Sequence, residues 1–298
     1  MRVIIAYLAV IAIWSTTPLT IKWSTEGAGF LFGVTARMLL GTVVCLGVLA
    51  VMRTPVPWHR RARRTYYAAA LGIFGAMICV YWGARYIPSG LISVIFGLTP
   101  LTTGLLSALL LSEERLQLHQ IGGILLGMAG LALIFRADLD TGRQGWLGIT
   151  AILVATLLHS LSTVWIKQVG ERLPGLVVNG GGLLVATTLY LVTWAIADGH
   201  PPEQLPERTL LSIAYLGIFG TVIGFSLYFF TLRHLSTQVI ALIPLVTPVT
   251  ALLLGQWLNG ERIAPAIWWG TAAISIGLVL HQWRQMRRWL IPGESLRS

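Results

Sequence analysis

The chain has 298 residues, 55% of them hydrophobic and 11% charged, with a formal net charge of +10 and two cysteines. A soluble globule of this size needs more polar surface than that, so the composition excludes a soluble enzyme or nucleic-acid-binding domain and places the chain in a bilayer. Two cysteines, Cys45 and Cys79, both inside apolar runs, exclude a disulfide framework.

Apolar runs of the length needed to cross about 30 Å of hydrocarbon recur from end to end. The expected spans are 2–23, 29–52, 66–86, 89–111, 116–135, 145–168, 175–197, 210–233, 237–258 and 265–283, which predicts an all-α polytopic membrane protein with ten transmembrane helices. The first run carries Trp14, Thr17 and Pro18 and is too long for a cleaved signal peptide, so it is expected to remain as the first helix. Fourteen of the 21 Lys/Arg fall on one side of this ladder and six on the other, including Arg53, Arg60, Arg61, Arg63, Arg64, Arg284, Arg287 and Arg288 on the richer side. The positive-inside rule then puts both termini in the cytoplasm, and the net charge is read as orientation rather than as a nucleic-acid footprint.

Along the chain a pattern occurs twice. Leu71-Gly-Ile-Phe-Gly75 returns as Leu216-Gly-Ile-Phe-Gly220, and Ser15 with Lys22 returns as Ser160 with Lys167, all at an offset of 145. Thr99-Pro100 and Glu113 return as Thr247-Pro248 and Glu261 at an offset of 148, so three extra residues lie in or after the eighth run. Residues 2–135 and 145–290 are two copies of one unit, 136–144 is the linker and 291–298 a tail. Five spans per copy is an odd number, so the second copy is inverted, an architecture found mainly in transporters. The second helix of each copy shows no sequence match.

Pro100 and Pro248 fall near mid-span, with Pro244 close by; each removes a backbone donor, predicting kinks that free carbonyls such as that of Phe96 and act as gates. Thr99 and Thr247 either re-satisfy those helices or contact a ligand. Intramembrane charges are few: Arg37 lies about nine residues into the second helix, whereas Lys22 and Lys167 lie near helix ends and reach headgroups or helix-end groups. His159, beside Ser160 and Thr163, occupies the position that Trp14 holds in the first copy; it is either a hydrogen-bond partner or, in a proton-coupled carrier, the proton-carrying group. Trp14, Tyr81, Trp82, Phe96, Trp165 and Tyr228 lie at corresponding depths and could form an aromatic cavity. Glycines such as Gly72, Gly75, Gly123, Gly127, Gly220 and Gly224 allow close helix packing or bending. There is no phosphate-binding loop, metal-ligand set or nucleophile turn, so no cofactor, metal, enzymatic activity or ATPase partner is implied.

Trp14-Ser-Thr-Thr-Pro18 with Lys22, Arg37, Thr99-Pro100 with Glu113-Glu114, and Gly122 resemble the drug/metabolite transporter superfamily, EamA type, over about residues 2–285. Arg262 departs from the pattern, standing where a second acid corresponding to Glu114 is expected. Within the group, the length, ten spans and aromatic content are most similar to a bacterial aromatic amino-acid exporter. The resemblance implies a ten-helix basket around a central cavity, both termini inside, and export of amino acids or related metabolites across the inner membrane by a monomer or weak homo-oligomer. In the expected site, carbonyls freed at Pro100 and Pro248 and the faces of Trp14 or Trp165 take the substrate ammonium. Thr17, Thr99, His159, Ser160, Thr163 and Thr247 take its carboxylate, and Tyr81, Trp82, Phe96 and Tyr228 hold its side chain. A multidrug or cationic-metabolite exporter and a membrane-embedded enzyme are the alternatives.

Overall fold

In a bilayer every backbone amide must find its partner within the protein, so long apolar runs fold as helices. The computed structural model describes residues 1–111, 117–139, 144–235, 237–240 and 242–283, and among these all regular structure is helical. Glu113, Glu114, linker residues 140–143, the tail 291–298 and Arg284, Arg287 and Arg288 lie outside the described residues.

The helices are α1 (Arg2–Trp23), α2 (Phe30–Val51), α3 (Arg60–Gly83), α4 (Ser89–Leu110), α5 (Leu118–Leu139), α6 (Gly145–Val169), α7 (Gly175–Ala197), α8 (Glu207–Tyr215, Leu216–Ile223 and Gly224–His234), α9 (a turn Thr237–Ile240, then Ile243–Asn259) and α10 (Pro265–His281). The first eight are long and apolar enough to cross a membrane. Ile243–Asn259 and α10 have 17 residues each and rise about 25 Å at helical pitch, shorter than the full-length spans expected of them. α3 begins six residues earlier than the sequence suggests because the basic cluster Arg60–Arg64 winds into the helix, with the His59 ring accepting from the Ala62 amide at 3.4 Å. Gly170 and Gly260, at φ 66° and 60°, close α6 and α9 in the left-handed conformation that favours glycine.

Both Leu-Gly-Ile-Phe-Gly strings form π-helical turns, Leu71–Ala76 in α3 and Leu216–Ile223 in α8. A π-turn leaves backbone carbonyls out of the α ladder, and α7 supplies donors to both. Tyr190 Oη donates to the carbonyls of Ile73 and Phe74 at 3.1 and 3.0 Å, and Asn179 Nδ2 to that of Thr221 at 3.1 Å.

Corresponding helices of the two copies meet directly. On α2 and α7, Thr42 and Thr187 share a hydrogen bond of 2.7 Å across an interval of 145 residues. α5 and α10 pack through glycine. A Cβ on Gly123 would lie 2.5 Å from the Gly277 carbonyl oxygen, and one on Gly130 would lie 2.6 Å from that of Gly270. As the position on α5 advances by seven the partner on α10 retreats by seven, so these helices run antiparallel. Such close backbone approach is how helices associate in lipid, where no hydrophobic force acts between them.

α4 is interrupted at Gly97–Leu98, just ahead of Pro100, which sits in the first turn of its second segment, Thr99–Leu110, where a missing donor costs nothing. Pro244 likewise opens Ile243–Asn259, while Pro248, and Pro18 in α1, lie inside unbroken helices. The Phe96 carbonyl is not left bare, because Thr99 Oγ1 donates to it at 2.6 Å.

Candidate functional site

α4 and α9 cross on one side of their interruptions only. A Cβ on Gly90 would meet Leu252 Cα at 2.5 Å, and one on Gly97 would meet Pro248 Cγ at 3.4 Å, so the backbones touch from Gly90 to Gly97. Beyond that point they part. The second segment of α4 packs on α6, where Thr102 and Ser160 hydroxyls bond at 2.6 Å; α9 packs on α1 as well as on α4, and there Ser15 and Thr250 hydroxyls bond at 2.5 Å. The two bonds are counterparts of one another in the two copies, since Ser15 corresponds to Ser160 and Thr102 to Thr250.

The contacting end is held by a buried carboxylate. Glu261, its side chain 6% exposed, accepts from the Ser89 amide at 2.8 Å, Ser89 Oγ at 2.9 Å, Asn259 Nδ2 at 2.9 Å and Lys22 Nζ at 3.3 Å. The Ser89 amide opens α4, so the carboxylate also faces the positive end of that helix. Lys22 donates as well to the Ile87 carbonyl at 3.1 Å. The network continues through Asn259, which accepts from Trp23 Nε1 and Arg208, to an Arg208–Glu26 ion pair of 3.8 Å. One end of α1, α4, α8 and α9 is thereby closed by charge-assisted hydrogen bonds, the stronger kind. Lys22 and Glu261 were recognisable individually in the sequence, but nothing in it paired them. Their counterparts by the repeat are Lys167 and Glu113, the latter outside the described residues.

Two clusters contain most of the expected site residues. In the first, Trp14 packs against Tyr228 and Phe225, with ring centroids 5.0 and 6.2 Å apart, and faces Gly224 of α8. One turn along, Thr17 and Arg37 both approach Gly220; a Cβ there would lie 3.4 Å from Arg37 Nη2 and 3.9 Å from Thr17 Oγ1. Arg37 is 5% exposed and reaches only hydroxyls, Thr221 Oγ1 at 3.4 Å and Tyr81 Oη at 3.5 Å. Tyr81, expected to hold a substrate side chain, is fully buried against Arg37 and Ser24 instead.

In the second cluster, His159 of α6 lies between α3 and α4. Its ring is 5.9 Å from that of Phe96, and its Nδ1 is 3.5 Å from where a Cβ on Gly72 would stand. Thr99 and Ser160 adjoin it, with Ser160 occupied by Thr102.

The remaining expected residues are not gathered with these. Trp82 packs on Tyr86 at the end of α3, centroids 4.9 Å apart. Thr247 is buried beside Pro248 at the crossing. Trp165, 39% exposed, belongs to the exposed stripe of α6 with Val154 and Leu157, and Thr163 is exposed with its hydroxyl turned back to the His159 carbonyl. A separate groove of about 530 Å³ lies between α1, α8 and α9. Its rim is Trp23, Glu207 and Arg208, and a 2.7 Å hydrogen bond between Thr16 and Tyr215 lies within it.

The chain matches the EamA-like transporter family over residues 1–136 and again over 146–281, and it belongs to that family. It is 27% identical to an S-adenosylmethionine/S-adenosylhomocysteine transporter of Chlamydia trachomatis serovar L2, over 91% of this chain and 86% of that one. It is 25% identical to the uncharacterized inner membrane transporter YedA of Escherichia coli K12, over 92% and 89%, and 23% identical to protein PagO of Salmonella typhimurium, over 87% and 86%. A solved crystal structure, 22% identical and covering 96% of this chain and 98% of its own, superposes with a TM-score of 0.63, a likeness of fold. The protein is therefore a multi-pass membrane transporter rather than an enzyme, with relatives named from the bacterial inner membrane.

Proposed function

We propose that this member of the EamA-like family is a secondary carrier that exports small metabolites bearing an α-amino acid end, aromatic amino acids among them, across the inner membrane by alternating access. One observation carries the reading: α4 and α9 touch from the Glu261 network to Gly97 and Pro248 and then part. A pair of helices closed on one side of a midpoint and open on the other is one half of an alternating-access cycle.

The architecture is ten helices in two inverted units, residues 2–135 and 145–290. The antiparallel α5 and α10 support it, as do the meeting of Thr42 with Thr187, since equivalent residues touch only on a two-fold axis, and the two Ser–Thr bonds, each the counterpart of the other in the second copy. With the basic loops inside, the closed Glu261 end is periplasmic and the parted end cytoplasmic, so substrate enters from the cytoplasm. Trp14 and Tyr228 line one side of the cavity, and Phe96, Thr99 and His159 the other. Aromatic walls suit flat side chains, and the relative named for S-adenosylmethionine handles a ligand combining an adenine ring with an amino acid end. His159 is the proposed proton-coupling group. A carrier of cationic metabolites is the second reading, favoured by the Trp14–Tyr228 pair, whose faces attract cations such as a sulfonium.

Counterflow in proteoliposomes tests the proposal. Vesicles loaded with unlabelled tryptophan, phenylalanine, methionine or S-adenosylmethionine should accumulate the matching labelled compound for at least one of the four. No accumulation for any of them contradicts this substrate class.

A further inference from the structure

Among the described residues Arg37 is a permanently charged group, 95% removed from contact with solvent or lipid, with no carboxylate paired to it. A guanidinium has five N–H donors and does not deprotonate. Here two of them reach neutral hydroxyls at 3.4 and 3.5 Å, the outer limit of a hydrogen bond. A buried charge so thinly compensated is costly inside a membrane protein and is kept where an anion completes it.

Bare backbone faces the guanidinium. The α8 backbone facing Arg37 carries glycine at 220 and again at 224, which leaves bare main chain between Arg37 on α2 and the Trp14–Thr17 face of α1. A Cβ at Gly220 would stand 3.4 Å from Arg37 Nη2, so the glycine brings the guanidinium up against the α8 main chain. The π-turn holds these glycines in place, since Thr221 Oγ1 donates to the Leu216 carbonyl at 2.9 Å while Asn179 takes the Thr221 carbonyl. The symmetry-related position of the other copy is Gly182, so the charge is present on one side of the pseudo-symmetric core only.

From this geometry we infer that Arg37, with Tyr81 Oη and Thr17 Oγ1, forms a carboxylate-binding subsite of the transport cavity, beside the Trp14–Tyr228 aromatic wall. Arg37 binds the carboxylate oxygens, Tyr81 orients the guanidinium, and Thr17, whose hydroxyl donates to the Ile13 carbonyl at 2.6 Å, flanks the site from α1. The substrate is a small carboxylate with a flat or apolar remainder, anchored at its carboxylate end. The inference rests on the carrier reading above and specifies where the acid end sits in it.

The test uses the full-length protein and compounds differing only in the acid group: tryptophan, indole-3-propionate and tryptamine. In counterflow competition against labelled tryptophan, the wild type is expected to prefer the two carboxylates over tryptamine by at least about tenfold. Arg37→Gln should raise the tryptophan KM on the order of 10- to 100-fold and abolish the preference, as loss of a charge-assisted contact requires. Arg37→Lys should restore part of it, and Tyr81→Phe should weaken it several-fold. If Arg37→Gln does not fold, Tyr81→Phe and Thr17→Val carry the same comparison. Equal competition by tryptamine and tryptophan in the wild type, or an unchanged KM in the variants, overturns the subsite and leaves the carrier reading standing. Thermal stabilisation of the detergent-solubilised protein separates the two in the other direction. A shift in Tm with indole-3-propionate in the wild type but not in Arg37→Gln, without counterflow of any probe, keeps the subsite and sinks the carrier. No shift with any of the carboxylates overturns the subsite whatever the transport result.

Discussion

Thr42 and Thr187 stand 145 residues apart, the interval that separates the two Leu-Gly-Ile-Phe-Gly strings, and their hydroxyls share a 2.7 Å hydrogen bond in the buried interface of α2 and α7. The Met38 carbonyl lies within hydrogen-bond distance of both, at 2.7 and 3.2 Å; with one proton on each hydroxyl, one threonine donates to that oxygen while the other donates to its partner. Thr42→Val should lower stability by about 1 kcal/mol, the usual net worth of a hydrogen bond. Thr42→Val with Thr187→Val should cost less than the sum of the single changes, because each single variant leaves a buried hydroxyl short of its partner. Thermal unfolding of the three variants in one detergent checks this, and simple additivity would show that the two hydroxyls act independently.

Glu261→Gln keeps the side chain's shape and removes the charge that faces Lys22 and the start of α4. The closed end should loosen, by about 2 kcal/mol of bias toward its open form given the charged hydrogen bonds lost. A cysteine at Ser93, in a background lacking Cys45 and Cys79, should then react faster with an impermeant thiol reagent from the Glu261 side. An unchanged rate would mean that the network decorates an end closed by other forces.

Gly90 has no room for a side chain, since even a methyl would lie 2.5 Å from Leu252 Cα, a backbone atom that cannot step aside. Gly90→Val should force α4 and α9 apart and reduce transport at least tenfold while leaving the α5–α10 contact intact. Transport rates normalised to protein in the vesicle membrane provide the check; wild-type activity would show that this crossing need not close.

Trp165→Ala, on the exposed stripe of α6, should leave transport within about twofold of wild type. His159→Gln should reduce it, and any acceleration by an imposed pH gradient should vanish in that variant. A gradient effect that survives His159→Gln removes the proton role from this residue.

The membrane class, the helix spans and the duplication were legible from hydropathy and from strings such as Leu71–Gly75 and Leu216–Gly220, because local composition and internal repetition determine them. Contacts between distant helices were not. The second helices of the two copies look unrelated as strings, yet Thr42 meets Thr187, since only two hydroxyls on the shared face have to match. The prolines show a similar limit: Pro100 marked where α4 is interrupted, but whether it breaks a helix or starts one depends on Gly97 and Thr99 beside it. Arg37 stood out by its charge, and its burial against Gly220, Thr221 and Tyr81 became visible only in the fold. For Trp165 the sequence carries depth along α6, whereas the face it lies on depends on how the neighbouring helices pack.

The most direct test of the alternating-access account is a pair of distances across the α4–α9 crossing, measured by double electron–electron resonance in lipid nanodiscs. Spin labels at Arg85 and Trp257 report the Glu261 end, and labels at Leu109 and Leu242 report the other. Introducing Glu261→Gln should lengthen the first distance and shorten the second in the same sample. Both distances moving in the same sense, or neither moving, would contradict a helix pair that closes one end as it opens the other.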